Sequence, residues 1–368
     1  MSPGGIQTER RCTSRMKILV TGGAGFIGSH FVRHILAARS DVQVVNLDKL
    51  TYAGNLANLS SVAADPRYQF LRGDVCDPVV VEQAMTGCSA VVHFAAESHV
   101  DRSIYDPIPA AQTNIAGTLT LLQAARSLGV ERFLHVSTDE VYGDIPLGHA
   151  ASEKSPLAPN SPYAASKAGA DLLVRSFIRT FGVRAMIARP SNNYGPNQFP
   201  EKFLPLMIAN ARSDQPLPIY GDGLQERCWL HVEDTCSALR LILERGKLGE
   251  TYNVGSDTTH TNLSLAKDVL KAAGKSETLL KHVEDRPGHD RRYALDSTKL
   301  RLELGWSPKL KLQVGLASTI DWYRRNTAWL EEIKRGEYRD YYDKYYANRT
   351  ATLESIRRPA PSNAKTKN

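Results

Sequence analysis

Residues Lys17–Thr21 (KILVT) form an unbroken apolar run that leads straight into Thr21-Gly22-Gly23-Ala24-Gly25-Phe26-Ile27-Gly28. A strand that empties into a glycine-rich turn, which in turn opens a helix, admits few folds. Glycines at 22, 25 and 28 allow a tight turn, close approach of backbone to a pyrophosphate, and close packing of helix on strand. The helix start adds unpaired N–H groups and a positive dipole end. By itself such a turn is weak evidence, and the spacing G-x-x-G-x-x-G differs from the more familiar G-x-G-x-x-G. The surrounding sequence strengthens it.

Five further runs have the same texture: Val42–Leu47, Tyr68–Leu71, Ala90–Phe94, Arg132–Ser137 and Arg184–Ala188. Strands covered by helices on both faces are apolar throughout, whereas half-solvated strands alternate. Helical patterns fall between them, with Ile27, Phe31 and Ile35 at i, i+4 and i+8, and further helices expected over about 114–128 and 162–181. The expected fold class is α/β, a doubly wound parallel sheet of Rossmann type over residues 16–190. Beyond it Pro190, Pro196, Pro200, Pro205, Pro216 and Pro218 break up any long element. A smaller substrate-binding lobe is expected over 191–350, with segments around 231–256 returning to the first.

A chain of 368 residues accommodates two such domains, and 42% hydrophobic with 23% charged residues excludes low-complexity and wholly disordered classes. No run approaches the roughly 20 apolar residues of a membrane span. Six of the seven net positive charges lie in residues 1–15 and 355–368, which read as disordered tails. The body between them is close to neutral, which argues against a nucleic-acid partner. Five cysteines without a Cys-x-x-Cys fit neither a disulfide framework nor a zinc site, so no metal is expected and the protein reads as cytoplasmic.

Asp48 follows Gly28 by twenty positions, at the end of the second strand. A carboxylate there accepts both ribose hydroxyls of NAD and repels a 2′-phosphate, although Lys49 beside it pulls the other way. The expected cofactor is therefore NAD. Asp74-Val75, after the third strand, reads either as an adenine contact or as a cap before Pro78.

Ser161-Pro162-Tyr163-Ala164-Ala165-Ser166-Lys167 begins a helix, with a good N-cap and Pro at the first helical position. Tyr163 and Lys167 then share one face. A nearby ammonium and a helix N-terminus would both favour the phenolate and bring the tyrosine towards neutral pH as a base. Ser137-Thr138 closes another strand, and Asp139-Glu140 follows directly. This carboxylate pair is either loop solvation or the means for a second round of acid–base chemistry: a C–H beside a newly formed ketone is acidic, so a base can remove it while an acid expels a hydroxyl one carbon further on.

The glycine turn with Tyr163-x-x-x-Lys167 resembles the extended short-chain dehydrogenase/reductase family. Ser137–Asp144 (STDEVYGD), Phe94–Ser103, Arg189–Pro196, Phe199–Leu206 and Asp285–Asp290 together resemble the nucleotide-sugar 4,6-dehydratases, in particular those acting on dTDP-glucose. The likeness runs from about Met16 to at least Trp306. It implies that Tyr163 removes the C4 hydroxyl proton with Lys167 and Thr138 in support, that Glu140 takes the C5 proton, and that Asp139 protonates the departing C6 hydroxyl. It also implies that Phe26, Ile27, Thr51, Phe94, Ala95, Ala96, Ser98, Thr113 and Asn193 line the NAD. On the substrate side it implies Ser98, Asn192, Lys202, Arg227 and Arg286 for the sugar diphosphate, with Phe203, Pro218, Tyr220, Asn262 and His289 about the nucleoside. His99 and His231 read as structural. A homodimer is expected: the two long helices carry apolar residues beyond one face, Leu119, Leu121 and Leu122 in one and Leu172, Leu173, Phe177 and Ile178 in the other, of which some must face the sheet and the rest could pair two subunits. A sugar-nucleotide 4-epimerase shares everything except a use for Asp139 and Glu140. A non-catalytic NAD-binding regulator would not need all five of Thr138, Asp139, Glu140, Tyr163 and Lys167.

Overall fold

The computed structural model describes residues 16–334 and 353–354, so both tails and the stretch 335–352 lie outside the described residues. Twelve strands occur among the described residues: β1 (Met16–Thr21), β2 (Val42–Asp48), β3 (Tyr68–Arg72), β4 (Ala90–His93), β5 (Arg132–Val136), β6 (Ala185–Pro190), β7 (Asn192–Tyr194), β8 (Leu217–Tyr220), β9 (Glu226–His231), β10 (Thr251–Val254), β11 (Thr259–Thr261) and β12 (Leu280–Val283). Seven of them form a parallel sheet in the order β10-β6-β5-β4-β1-β2-β3. The order reverses between β1 and β4, which opens a crevice at the carboxyl ends of the strands.

Both faces of this sheet are apolar because alternate residues of each strand feed different cores. Ile18 and Val20 of β1, with Leu134 and Val136 of β5, face the helices Phe26–Ala38 and Val232–Arg245. Leu19, Val91 and Phe133 point the opposite way, against the helices Pro78–Met85, Thr118–Ser127 and Pro162–Phe181. Each fully buried Leu, Ile, Val or Phe contributes about 1.5–3 kcal/mol relative to exposure. His93 of β4 is a polar residue buried on the second face, where it bonds the Thr21 and Thr118 hydroxyls.

The helix expected over 114–128 differs in detail. Its first part, Gln112–Gly117, is wound as a π-helix before the α-helix Thr118–Ser127. The extra residue per turn turns Asn114 inward, where its Nδ2 donates to Ser166 Oγ at 2.8 Å and to the Glu97 carbonyl at 3.1 Å. Asn114 thereby ties this stretch to the helix Pro162–Phe181 and to the loop after β4, which periodicity alone does not reveal.

The second lobe has two small sheets, β11-β9-β7 and β12-β8. The helices Phe203–Arg212, Asn262–Ala273 and Leu312–Arg325 close a separate core around Met207, Ile219, Val269 and Tyr323. The helix Val232–Arg245 and strand β10, which come after much of this lobe in sequence, lie in the first core and on the first sheet. No helix among the described residues is long and apolar enough to cross a membrane.

Candidate active site

The crevice at the strand ends is a cleft of about 310 Å3. Gly22, Gly25, Phe26, Ile27, Gly28, Asp48, Lys49, Thr51, Asp74, Val75, Phe94, Ala95, Ala96, Ser98, Thr113 and Asn193 all line it, together with Thr138, Asp139, Glu140, Tyr163 and Lys167. Gly22 has φ 71°, and a Cβ there would lie 2.6 Å from Ala95 N. At Gly28 a Cβ would lie 2.2 Å from the Gly22 carbonyl oxygen. Only glycine fits these two positions, and backbone is left facing the cleft.

Asp48 is buried, and its carboxylate accepts from Ala24 N at 2.9 Å and Leu50 N at 2.8 Å. Two of its roughly four lone-pair directions remain for ribose hydroxyls. Burial pushes its pKa up, and the two backbone donors work against that. Lys49 does not pull towards a 2′-phosphate as its sequence position suggests, because its Nζ pairs with Asp74 Oδ2 at 2.6 Å. Asp74 is not the cap of the following helix either: it accepts from Cys76 N, while Asp77 caps Val79 and Val80. The buried oxygens of Ser191 and Asn193 have no protein partner. A cleft with a backbone cradle, a ribose-reading carboxylate and unpaired polar atoms along its wall fits a bound NAD.

Ser161 Oγ accepts from Ala164 N at 3.1 Å and starts the helix that carries Tyr163 and Lys167, both buried. Lys167 Nζ donates to the Val136 carbonyl at 2.8 Å, and burial lowers its pKa to about 8. The tyrosine departs from the sequence-based expectation. Burial first, then Glu140, push its pKa up, and the Thr138 hydroxyl works in the opposite direction. Desolvation dominates, which helical spacing cannot disclose.

Thr138 caps a single 3-10 turn, Asp139–Tyr142, so its hydroxyl and both carboxylates sit at the end of β5 beside Tyr163. Asp139 is pushed up to about 7 by burial and then by Glu140. Glu140 is also raised by burial, but Arg286, Lys202 and Arg227 pull it back. The two neighbouring carboxyls therefore sit in unequal environments, Asp139 beside a like charge and Glu140 facing three cations. Asp139 Oδ2 and Glu140 Oε2 are buried without a protein partner.

A second cavity of about 140 Å3 adjoins the cleft at Glu140, Asn192, Lys202, Phe203 and Trp229. Pro218, Tyr220, Arg227, Asn262, Arg286 and His289 line it. Arg227 Nη2 donates to the Asp290 carbonyl at 2.9 Å, and Arg286 Nη1 donates to Asp101 at 2.9 Å with its Nε unpaired. Lys202 Nζ bonds the Ser98 carbonyl. His289 is held down to about 4 by burial and Arg286, so it is neutral beside Asp285.

Three residues of the site escape sequence reading. Trp229 lines both cavities with its indole N–H unpaired, and only its i+2 relation to Arg227 on β9 signals a shared face. Glu201 is buried and accepts from Arg102 Nε at 3.0 Å, a pairing set by the fold. Asp101 holds Arg286 and Tyr220 from the other lobe. His99 and His231 each cap a helix, through Arg102 N and Glu233 N.

The sequence profile described as GDP-mannose 4,6 dehydratase matches residues 19–319. A dTDP-glucose 4,6-dehydratase of Streptomyces niveus is 51% identical over 323 residues, covering 87% of this chain and 96% of that protein. The Salmonella typhimurium dTDP-glucose 4,6-dehydratase is 46% identical over 361 residues, covering 91% of this chain and all of its own length (100%). Among solved structures, a dTDP-glucose 4,6-dehydratase from Streptomyces venezuelae with NAD bound superposes with a TM-score of 0.85 at 50% identity, covering 87% of this chain and 100% of that one. The Thermus thermophilus UDP-glucose 4-epimerase complex with NAD reaches a TM-score of 0.78 at 34% identity, covering 84% of this chain and 100% of that one.

Proposed function

The chain belongs to the nucleotide-sugar 4,6-dehydratase family, and from that premise we propose that it converts dTDP-glucose to dTDP-4-keto-6-deoxyglucose with NAD as resident cofactor. The observation that carries the reading is the Asp139–Glu140 pair lining one cleft with Tyr163 and Lys167. The epimerase fold is shared, but chemistry confined to C4 has no use for those two carboxyls.

NAD, when bound, supplies the acceptor for the C4 hydride, the positive charge of its oxidised ring, and the hydride returned to C6. Tyr163, as the phenolate that the positive charge of an oxidised ring beside it would favour, would accept the C4 hydroxyl proton, with Thr138 sharing the hydrogen bond and Lys167 fixed against the Val136 carbonyl. Glu140, facing Arg286, Lys202 and Arg227, is the carboxylate that takes the C5 proton. Asp139, which burial keeps protonated further up the pH scale, gives its proton to the C6 hydroxyl, which leaves as water. Positioned acid–base groups of this kind contribute roughly 10²–10⁴-fold each.

Lys202, Arg227 and Arg286, assisted by Ser98 and Asn192, hold the diphosphate at the join of the cavities, and charge-assisted hydrogen bonds there are worth about 1.5–3 kcal/mol each. Phe203, Pro218, Tyr220, Asn262 and His289 frame the nucleoside. The working form is a homodimer, and half-exposed Leu172 on the helix Pro162–Phe181 is available to it. Cys76, Cys88, Cys228 and Cys236 are unpaired thiols, as suits the cytoplasm.

The test is the mass of the product after incubation with dTDP-, UDP- and GDP-glucose. Loss of one water from the dTDP sugar is expected. An unchanged mass with inversion at C4 would identify an epimerase instead.

A further inference from the structure

Behind the cleft runs a buried polar chain that lines neither cavity. Asp171 lies on the helix of Tyr163 and Lys167, one turn beyond the lysine, and is wholly buried. Its Oδ2 accepts from Arg189 Nε on β6 at 2.8 Å. Arg189 Nη1 donates to the Tyr142 hydroxyl at 2.7 Å, and that hydroxyl donates onward to Asn253 Oδ1 on β10 at 2.7 Å. Asn253 Nδ2 is anchored on the Ala151 carbonyl at 2.8 Å. Arg189, Tyr142 and Asn253 are buried like Asp171, and none of the four faces the cleft or the second cavity.

Tyr142 is the last residue of the short turn that begins with Asp139 and Glu140. A single 3-10 turn makes few hydrogen bonds of its own, so side-chain anchors decide where it sits. At the other end of the chain, Asp171 belongs to the helix that positions the tyrosine base. We infer that Asp171–Arg189–Tyr142 is a positioning relay that sets the Asp139–Glu140 turn against the Tyr163–Lys167 helix and thereby serves elimination more than oxidation. Tyr142 and Arg189 are positioning residues, since neither can touch substrate. A buried donor and acceptor matched along a line hold one arrangement, because any other leaves a guanidinium N–H unsatisfied. The inference rests on the dehydratase reading above.

The experiment compares wild type with Tyr142→Phe, which removes one hydroxyl and keeps the ring. Oxidation at C4 is read alone with a C6-deoxy substrate analogue, which has no hydroxyl to lose, by the near-ultraviolet absorbance of reduced dinucleotide. Proton removal is read as deuterium uptake at C5 from heavy water, and elimination as water loss from dTDP-glucose. Misplacing reacting groups by about 1 Å costs up to roughly 10²-fold. Tyr142→Phe is therefore expected to slow C5 exchange and water loss by about tenfold to a hundredfold, with C4 oxidation within about threefold of wild type. Equal slowing of all three, or of none, would overturn the relay. Asn253→Ser, which removes the acceptor of the Tyr142 hydroxyl from a strand remote from the cleft, should show the same split and serves if Tyr142→Phe does not fold. Absence of water loss in wild type would instead sink the dehydratase reading itself.

Discussion

Among single residues, the proposed division of labour is sharpest between Tyr163, Glu140 and Asp139. Tyr163→Phe removes the base proposed for the first oxidation, so bound NAD should stay oxidised when substrate is added. Glu140→Gln leaves that base intact and should lose C5 exchange by roughly 10²-fold or more, while C4 oxidation persists. Asp139 supplies a pH dependence. Its folded pKa is raised to about 7, so its acid form, and with it water loss, should decline as pH rises through that value. The sign for stability agrees: a raised carboxyl pKa stabilises the fold fully at pH below its unfolded value and loses that contribution on the way up to about 7. Asp139→Asn should abolish the alkaline limb of a pH profile of water loss and lower the plateau. A limb that survived the substitution would belong to another group. Residue identities and spacing marked all three as reactive candidates, while the separate roles of Glu140 and Asp139 came from the family resemblance. What they could not announce is how burial divides the protons, because desolvation of Tyr163 and Asp139 depends on walls contributed by distant segments.

At the scale of elements, the glycine turn and the strand carrying Asp48 were readable because strand, turn and helix are contiguous in sequence. Gly28→Ala tests the turn. Its Cβ would meet the Gly22 carbonyl at 2.2 Å, and backbone has no rotamer with which to yield. The variant should lose dinucleotide affinity on the order of tenfold, equivalent to about 1.4 kcal/mol, seen as less NAD released on denaturation. Full retention of NAD would mean that the turn relaxes without cost. Other elements were less readable. The π-helical stretch Gln112–Gly117 depends on Asn114 finding Ser166 and Glu97, partners far away in sequence. Likewise, Lys49 looked like a competing charge until β3 brought Asp74 beside it.

Across the whole molecule, the homodimer proposal predicts a mass of twice the chain by light scattering at micromolar concentration. Replacing Leu172, half-exposed on the helix Pro162–Phe181, by Glu should shift that mass towards a monomer without touching the cleft. A monomeric wild type would remove the proposal.

Strand β10 seals the open side of β6 only after the chain has travelled through β7, β8 and β9. During synthesis the nucleotide-binding sheet is therefore unfinished until Val254 has left the ribosome, with β6 presenting an unpaired edge in the meantime. Such edges are templates for wrong partners, and pairing this distant in sequence forms slowly. A fragment ending at residue 190 should accordingly aggregate, whereas one reaching Trp306, which packs in the same core as the helix Val232–Arg245, should resist proteolysis across the sheet. The two lobes are thus a single heritable unit: recombination that exchanged one sugar-binding lobe for another would have to splice before β7, ahead of Val232 and again after Val254, so that the helix Val232–Arg245 and β10 stay with the sheet they complete while β11 and the helix Asn262–Ala273 go with the exchanged lobe.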